Sequence, residues 1–417
     1  MKKITEKEYS LFLPDGGIRT LIKPNNSPVS HLGVIIGTGS RDEKKGEEGM
    51  AHFIEHALFK GTAKRKSFHV ISRLDSVGGE LNAFTTKEET CIYASFPAEY
   101  LERAMDLLAD IILNSSLPEK ELKKEKEIIL DEIRSYKDSP SEDIFDAAEE
   151  YMFKGHPLAH NILGKPSSVK KFHRDDVANF IKRNYLPTNM VLAFSGNTEE
   201  KKVIHLAEKY FGHSIDKKNK PIIRKAFTQY KPYQKRILNG THQSHCVMST
   251  LGYDIKHHGK TGLLMLSNLL GGPGMNSLLN LSLREKYAFC YHVESSYTPL
   301  SDTGIFSIYL ATDKSSADRS IELASKEMNK LRENKISSSR MAAMKKQIAG
   351  QIMLSQQNES SVLLGFGKSI LLYNKVDSLE ETLRKINRVT AEELQKISRE
   401  IFDPKKISLL IYEAKND

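Results

Sequence analysis

The chain has 417 residues, which is enough for two or more domains. Its 39% hydrophobic and 28% charged residues are typical of a soluble globular protein, and no apolar run approaches the length of a membrane-spanning helix. The net charge of +9 does not predict nucleic-acid binding, because basic and acidic residues are interspersed and no nucleic-acid motif accompanies them. The first residues lack the apolar segment of a secretory signal, and the three cysteines are widely spaced. We therefore expect a cytoplasmic protein with reduced thiols and no membrane contact.

Short apolar segments bounded by Gly, Pro or Asn predict strands, and longer amphipathic segments predict helices. In chain order, the first half is expected to contain strands at 30–38, 90–96 and 189–195 and helices near 48–60, 66–77, 99–114, 118–136 and 174–184. These elements are compatible with several mixed α/β folds and do not select one of them.

The helix predicted over residues 48–60 carries the motif HFIEH at residues 52–56. Its apolar residues follow the i, i+3, i+4, i+7 spacing of an amphipathic helix, which leaves His52, Glu55 and His56 together on the opposite face. Two histidines four residues apart can bind one zinc ion, and a glutamate one turn from the first can hold the attacking water. This is the inverted zinc-peptidase motif H-x-x-E-H. The alternative is a solvated helix face with two ordinary histidines.

A zinc site needs a third protein ligand, and the helix predicted over residues 118–136 carries suitable carboxylates. Glu125 and Glu132 are two turns apart, which places them about 20° from each other on the helical wheel. Their face also carries the apolar residues Leu122, Ile128, Ile129, Ile133 and Tyr136. Because carboxylates on an apolar face are costly unless they meet a cation, a metal bound by the first helix is the predicted partner.

Together these residues resemble the insulinase/pitrilysin (M16) family of zinc peptidases, and among them the short members similar to mitochondrial processing peptidase. The resemblance covers nearly the whole chain. It implies that His52, His56 and Glu132 bind one Zn²⁺ per chain and that Glu55 is the general base for a zinc-activated water. It also implies that Glu125 is the family's additional acidic residue, which supports the ligands from behind.

A basic, proline-containing stretch at residues 215–236 predicts an exposed linker. Two sequence echoes flank it. Residues 91–94 (CIYA) resemble 307–310 (SIYL) at an offset of 307 − 91 = 216, and residues 171–174 (KFHR) resemble 385–388 (KINR) at 385 − 171 = 214. Offsets this similar indicate a duplicated domain rather than a solenoid of short repeats.

The resemblance implies an α+β fold with two homologous α/β sandwich domains, each a largely antiparallel sheet with helices packed on one face. Residues 1–214 would form the zinc-bearing domain and residues 237–417 a degenerate one. The position 216 residues after His52 falls in 267–271, which holds no histidine or acid. The counterpart of the Glu132 helix carries the uncharged Ala349, Gly350 and Gln351. The second domain is therefore expected to bind no metal.

Residues 77–85 match the family's substrate-binding strand, in which a glycine pair turns the chain into the edge of a sheet. Gly79, Asn82 and Ala83 would then bind the backbone of a peptide by strand addition. The alternative is an ordinary glycine turn that enters a strand.

In the second half, Arg284 and Tyr291 match the family's Arg–Tyr segment. The resemblance implies that both side chains contact substrate carbonyl groups and help to stabilise the oxyanion. Ala288 stands where the family usually has glycine, which bears on the local turn. The alternative is a surface arginine and a tyrosine at the margin of the core.

We therefore expect a zinc-dependent endopeptidase that cleaves peptides or unfolded segments held in extended form inside a chamber. Short members of the family pair two chains to close such a chamber. A homodimer is expected, or a heterodimer with another M16-like chain, in which Arg284 and Tyr291 reach the active site from the partner's second half. The alternative is a non-catalytic M16-like subunit that binds peptides or scaffolds a partner. The presence of all four motif residues favours the enzyme.

Overall fold

The computed structural model describes residues 2–14, 17–212 and 224–415; residues 215–223 of the predicted linker lie outside this part. The chain divides into two units, each built on one β-sheet. Unit 1 consists of Met1–Ile133, His160–Arg224 and Ser355–Ser378, and unit 2 of Arg134–Ala159, Lys225–Leu354 and Leu379–Asp417.

The sheet of unit 1 has seven strands within the described residues: β1 (Lys2–Thr5), β2 (Ser10–Leu13), β3 (Arg19–Pro24), β4 (Val29–Ile36), β5 (Glu80–Thr85), β6 (Thr90–Pro97) and β7 (Met190–Gly196). Their order is β1-β2-β3-β7-β4-β6-β5. Neighbouring strands are antiparallel except β3 and β7, which are parallel. Every residue of β7 is buried, and nearly all of β4, because these central strands are covered on both faces.

The α-helices of the described chain are α1 (Met50–Leu58), α2 (Ser67–Asp75), α3 (Leu101–Leu113), α4 (Glu119–Lys137), α5 (Pro140–Met152), α6 (Pro166–Val169), α7 (Arg174–Asn184), α8 (Glu200–Phe211), α9 (Lys260–Gly271), α10 (Ala317–Glu333), α11 (Ser338–Ser355), α12 (Glu359–Tyr373), α13 (Leu379–Arg388) and α14 (Ala391–Ile401). No helix of the described residues is long and apolar enough to span a membrane.

The two faces of the unit 1 sheet carry separate apolar cores. Helices α1, α2, α3, α4, α7 and α8 bury their apolar stripes on one face, against side chains such as Val34 and Phe194. The opposite face is covered by α12, whose Phe366 and Ile370 pack with Ile35 of β4. The central strands are apolar at successive positions because both cores draw side chains from them.

Unit 2 repeats this plan with five strands in the described chain: β8 (Gln234–Leu238), β9 (Ser244–Gly252), β10 (Cys290–Pro299), β11 (Gly304–Thr312) and β12 (Ser408–Glu413). The order is β10-β11-β9-β12-β8, and only β12 and β8 are parallel. Helices α9, α10, α11 and α14 cover one face. On the other face, Ile144 and Ala148 of α5 pack against Val247 and Leu410.

The strand order β10-β11-β9-β12-β8 of unit 2 corresponds to the order β5-β6-β4-β7-β3 of unit 1. The echoed segments 91–94 and 307–310 lie in the matching strands β6 and β11. Two similar α/β domains with largely antiparallel sheets are therefore confirmed. Among the described residues, each sheet also carries a helix on its second face, which the expectation of helices on one face did not include. These helices are exchanged along the chain: α5 precedes the predicted linker but belongs to unit 2, and α12 follows it but belongs to unit 1. The units thus differ from the contiguous segments 1–214 and 237–417.

Local predictions from the first half agree closely with the structure. The strands expected at 30–38, 90–96 and 189–195 are β4, β6 and β7, and the helices expected near 48–60, 66–77, 99–114, 118–136 and 174–184 are α1, α2, α3, α4 and α7. One difference lies at the linker, because β8 begins at Gln234, inside the predicted range 215–236.

Candidate metal centre

Helix α1 is anchored at its N-terminus by a buried glutamate. Gly49 precedes the helix with a φ of 95°, a left-handed conformation that favours glycine. The Glu43 carboxylate accepts hydrogen bonds from the backbone N–H groups of Gly49 at 3.0 Å and Ala51 at 2.9 Å. Burial raises the pKa of Glu43, whereas the two backbone bonds lower it. Because the first amides of a helix have no partner inside it, Glu43 satisfies two of them and fixes where α1 begins.

Three side chains from α1 and α4 converge on one point. His52 Nε2 and His56 Nε2 lie 3.8 Å and 3.7 Å from Glu132 Oε2, and one ligand atom from each residue lies within 4.8 Å of the others. These separations are close to the edge of roughly 3.4 Å expected for a tetrahedron of zinc–ligand bonds. In the described part of the chain, no other group of three His, Cys, Asp or Glu meets this condition.

The chemistry of these atoms fits a bound cation. Glu132 Oε2 is buried and has no hydrogen-bond partner, although the side chain as a whole is 43% exposed. Burial, with a smaller effect of the nearby His56, lowers the pKa of His52 to about 4, so the ring is neutral near pH 7 and keeps a lone pair for a metal. An orphaned carboxylate oxygen beside two imidazoles is expensive unless a positive charge lies between them.

Glu55 lies one turn from His52 on the same face of α1 and is not one of the three converging ligands. Its Oε2 accepts a hydrogen bond from Thr85 Oγ1 at 2.6 Å, which orients the carboxylate from the end of β5. Burial raises the pKa of Glu55, and the bond from Thr85 opposes that rise. A half-buried, oriented carboxylate beside a metal position can accept and return a proton.

Glu125 stands behind the ligands. Its Oε2 lies 3.1 Å from His56 Nδ1 and its Oε1 lies 2.9 Å from Lys60 Nζ. Because a carboxylate can only accept, His56 donates through Nδ1–H and its Nε2 is left with the lone pair. Burial alone would raise the pKa of Glu125, but the bonds from His56 and Lys60 outweigh burial and lower it.

The amphipathic pattern of α4 explains why both carboxylates face α1. Leu122, Ile129 and Ile133 are buried on the same side as Glu125, and Leu130 is buried beside them. Ile128, which the helical wheel placed on this face, is instead 47% exposed. The reason is its position on the far side of Glu132 from the centre of the buried stripe.

Strand β5 is the outermost strand of its sheet among the described residues, since its one neighbour is β6. In the turn that joins them, Thr86 N–H donates to Glu89 O at 2.8 Å. Hydrogen-bonded and open pairs alternate along an antiparallel ladder, so Asn82 falls in a bonded pair and Ala83 in an open one. The backbone N–H and C=O of Ala83 therefore face the free edge.

The other two predicted residues of this segment lie differently. The side chain of Asn82 is exposed and, because side chains alternate along a strand, points to the sheet face opposite that of Ala83. At Gly79, an added Cβ would lie 3.0 Å from Ser95 O and 3.3 Å from Leu74 Cβ. A Cβ here would be crowded, so glycine favours close packing where the chain enters β5, and the predicted substrate contact of Gly79 stays a prediction.

Arg284 and Tyr291 belong to unit 2, whereas the converging ligands belong to unit 1. Arg284 is exposed in a π-helical turn, Asn280–Glu285, and Tyr291 is 60% exposed near the start of β10. Ala288, at the position where glycine is usual, has a φ of 51° in the left-handed region. This left-handed backbone conformation explains why glycine is usual at the position of Ala288. The roles of Arg284 and Tyr291 stay predictions.

Unit 2 has a different arrangement at the position that corresponds to the ligands. Asn268 of α9 lies 268 − 52 = 216 residues after His52, the offset of the repeat. Its Nδ2 donates to Oε1 of Gln351, on α11, at 2.8 Å. Two uncharged side chains thus meet at this position, and the expectation that the second domain binds no metal stays a prediction.

Sequence reasoning missed Glu43, Lys60 and Thr85. Lys60 could have been found, because it follows His56 by four residues, one helical turn, and a buried acid on the facing helix needs a cation. Thr85 lies next to the motif residues of β5, but its contact with Glu55 depends on tertiary structure. Glu43 precedes α1 by several residues and gave no periodic signal.

Residues 19–166 match the family model of insulinase peptidases (M16), and residues 171–348 match that of the peptidase M16 inactive domain. The uncharacterized zinc protease YmxG of Bacillus subtilis (strain 168) is 32% identical over 93% of this chain and 94% of its own length. The chain belongs to the M16 peptidase family. An uncharacterized zinc protease of Mycobacterium tuberculosis (strain H37Rv) is 31% identical over 93% of this M16 chain and 89% of its own.

Solved structures show the same M16 fold. A protein of Pseudomonas fluorescens described as a peptidase M16 inactive domain superposes with a TM-score of 0.91 over 98% of both chains, at 18% identity. A protease from Helicobacter pylori superposes with a TM-score of 0.87 over 97% of this chain and 99% of its own, at 20% identity. The match to the inactive-domain family model includes α9 and residues 338–348 of α11, and the grouping of His52, His56 and Glu132 lies outside the matched range.

We expect the purified M16 chain to bind about one equivalent of zinc, because within the described residues three ligands converge only in unit 1. Most of the bound zinc should be lost in each of three single variants, His52→Ala, His56→Ala and Glu132→Ala, because each removes one of the three predicted ligands. Asn268→Ala, at the matching position of unit 2, is the control and should keep it. Metal content after dialysis is the measurement. Two equivalents per chain, or full retention in His56→Ala, would contradict this assignment.

Proposed function

We propose that this M16 chain is a zinc-dependent endopeptidase. The observation that carries the proposal is the convergence of His52, His56 and Glu132, with the Glu55 carboxylate oriented beside them by Thr85. Three protein ligands leave one tetrahedral position for water or substrate, which distinguishes a catalytic zinc site from a structural one. The relatives named zinc proteases support the same metal.

In the proposed reaction, His52, His56 and Glu132 hold the zinc ion. When bound, such an ion supplies Lewis-acid chemistry that acidifies water and polarises the carbonyl group of the peptide bond. Glu55 takes the proton of the water that attacks the carbonyl carbon and passes it to the departing amine nitrogen, so the carboxylate is regenerated. Thr85 keeps Glu55 from rotating away during both transfers.

The proposed substrates are peptides and unfolded segments in extended form. The outward N–H and C=O of Ala83 offer a peptide the same bonds that a further strand of the sheet would make. Recognition through backbone atoms gives affinity with little sequence preference. The small Ala83 side chain lets the peptide approach closely, and Thr85 at the end of the same strand contacts Glu55.

We propose the cytoplasm as the location. Cys91, Cys246 and Cys290 are all buried free thiols, and buried free thiols without a disulfide are typical of reducing compartments.

Turnover of a mixed peptide pool tests the proposed function. Glu55→Gln should keep about one zinc per chain and lose cleavage by a factor of about 10² or more, because only the proton acceptor is removed. Glu127→Gln, which alters an exposed carboxylate of α4, is the matched control and should cleave normally. A zinc-loaded wild-type chain that cleaves nothing would instead establish the non-catalytic, peptide-binding subunit.

Ala83→Pro tests the edge strand. Proline removes the outward N–H of residue 83 while the inward bonds of its neighbours stay in place, so the sheet should persist. We expect KM for peptides to rise strongly, with zinc content unchanged and kcat affected less. Ala83→Ser, which keeps the amide, is the control. Wild-type kinetics in Ala83→Pro would show that substrate does not pair with β5.

We further propose a homodimer in which Arg284 and Tyr291 serve the partner's active site, the alternative being a heterodimer with another M16-like chain. Glu55→Gln and Arg284→Ala should each be nearly inactive. After subunit exchange, half of the dimers would be mixed, each with one intact site, so activity should return to roughly a quarter of wild type. Glu55→Gln mixed with the double variant is the control. No recovery despite proven exchange, or an active monomer, would contradict the shared site.

A further inference from the structure

Glu125 is a carboxylate in an environment that disfavours charge. Its side chain is 3% exposed, yet each of its oxygens has a separate partner, His56 Nδ1 for Oε2 and Lys60 Nζ for Oε1. A buried carboxylate with a single neutral donor would be costly, because removal from water is not compensated. The Lys60 ammonium supplies the compensating charge.

The backbone fixes where Lys60 can reach. Helix α1 ends at Leu58, and the N–H of Lys60 still donates to Ala57 O at 3.1 Å, so the chain continues its turn past the helix end. Lys60 is thereby placed one turn beyond His56. Its side chain, 22% exposed, crosses to α4 and meets the same carboxylate that His56 meets. One carboxylate therefore ties two points of α1 to α4.

We propose that Lys60 is a positioning residue of the metal centre, which acts on His56 through Glu125. The inference rests on the proposed zinc function. Lys60 holds Oε1 and thus the plane of the Glu125 carboxylate, which leaves Oε2 directed at His56 Nδ1. That bond fixes the rotation of the imidazole and keeps its hydrogen on Nδ1, so that Nε2 faces His52 and Glu132 with a free lone pair.

In this arrangement Lys60 and a bound metal ion would compensate two different carboxylates, Glu125 and Glu132. The Lys60 ammonium contacts Oε1 of Glu125, whereas His56 Nδ1 contacts Oε2. The Glu132 oxygen keeps no partner of its own and remains available to a metal. Loss of Lys60 should thus weaken zinc binding without removing any ligand.

The test measures the zinc dissociation constant of the metal-free full chain by competition with a chelator of known affinity. Lys60→Met keeps an unbranched side chain one atom shorter than lysine and removes the charge, and it should weaken zinc binding about tenfold. Lys60→Arg should recover most of the affinity, because it restores a cation beside Glu125. Lys64→Met, at an exposed lysine of the same loop, is the matched control and should bind zinc as wild type does.

A double-variant cycle separates positioning from a general structural role. In a Glu125→Gln background, Lys60→Met should cause no further loss of zinc affinity, since Lys60 has no carboxylate left to hold. If Lys60→Met alone does not fold, the zinc affinities of Glu125→Gln and of the double variant can still be compared, because the double variant buries no unpaired carboxylate. The positioning role of Lys60 would be wrong if Lys60→Met bound zinc as tightly as wild type. It would also be wrong if Lys60→Met lowered the zinc affinity as much in the Glu125→Gln background as in the wild-type chain. Either result would leave the proposed zinc function intact. If the wild-type chain did not bind zinc, both the proposed function and the inferred role of Lys60 would be wrong.

Discussion

The contact between the polar face of α1 and two carboxylates on the apolar face of α4 is the constraint on which the site depends. Glu125 and Glu132 are carried by the same helix face that buries Leu122 and Ile129, so packing the helices forces carboxylates together with His56. Each charge then needs a partner at fixed distance. Lys60 and His56 satisfy Glu125, whereas Glu132 Oε2 is left unpaired. The helix contact thus creates a demand for a cation at one defined point.

The contact between α1 and α4 is supported by the sheet of unit 1, which is packed with helices on both faces. Its central strands β4 and β7 are apolar throughout because α1 and its neighbours cover one face and α12 the other. Thr85, at the end of the edge strand, contacts Glu55 directly. Glu43 fixes the first turn of α1 through two backbone bonds. The groups that would carry out the chemistry are therefore oriented by rigid elements rather than by long loops.

The convergence of His52, His56 and Glu132 could be predicted because its signal is local. His52, Glu55 and His56 share a helix face by periodicity alone, and Glu125 and Glu132 are conspicuous as acids within an apolar stripe. The exchange of α5 and α12 could not be predicted in this way, because it depends on which sheet face is left uncovered in three dimensions. A signal existed, however: the uninterrupted apolar run of β7 indicates a strand covered on both faces, which requires one more helix than a one-sided sandwich supplies.

The two units place different kinds of side chain at matching helix contacts. At the repeat position of His52, unit 2 has Asn268, which donates to Gln351 across the corresponding helix pair. That bond joins an amide N–H to an amide oxygen, and both side chains are uncharged, so the contact creates no demand for a counter-charge. In unit 1 the corresponding contact leaves a carboxylate oxygen without a donor. Unit 2 therefore joins α9 and α11 through a hydrogen bond between uncharged groups, whereas in unit 1 the contact between α1 and α4 brings a carboxylate oxygen without a donor to two imidazoles, and only the second arrangement favours a cation.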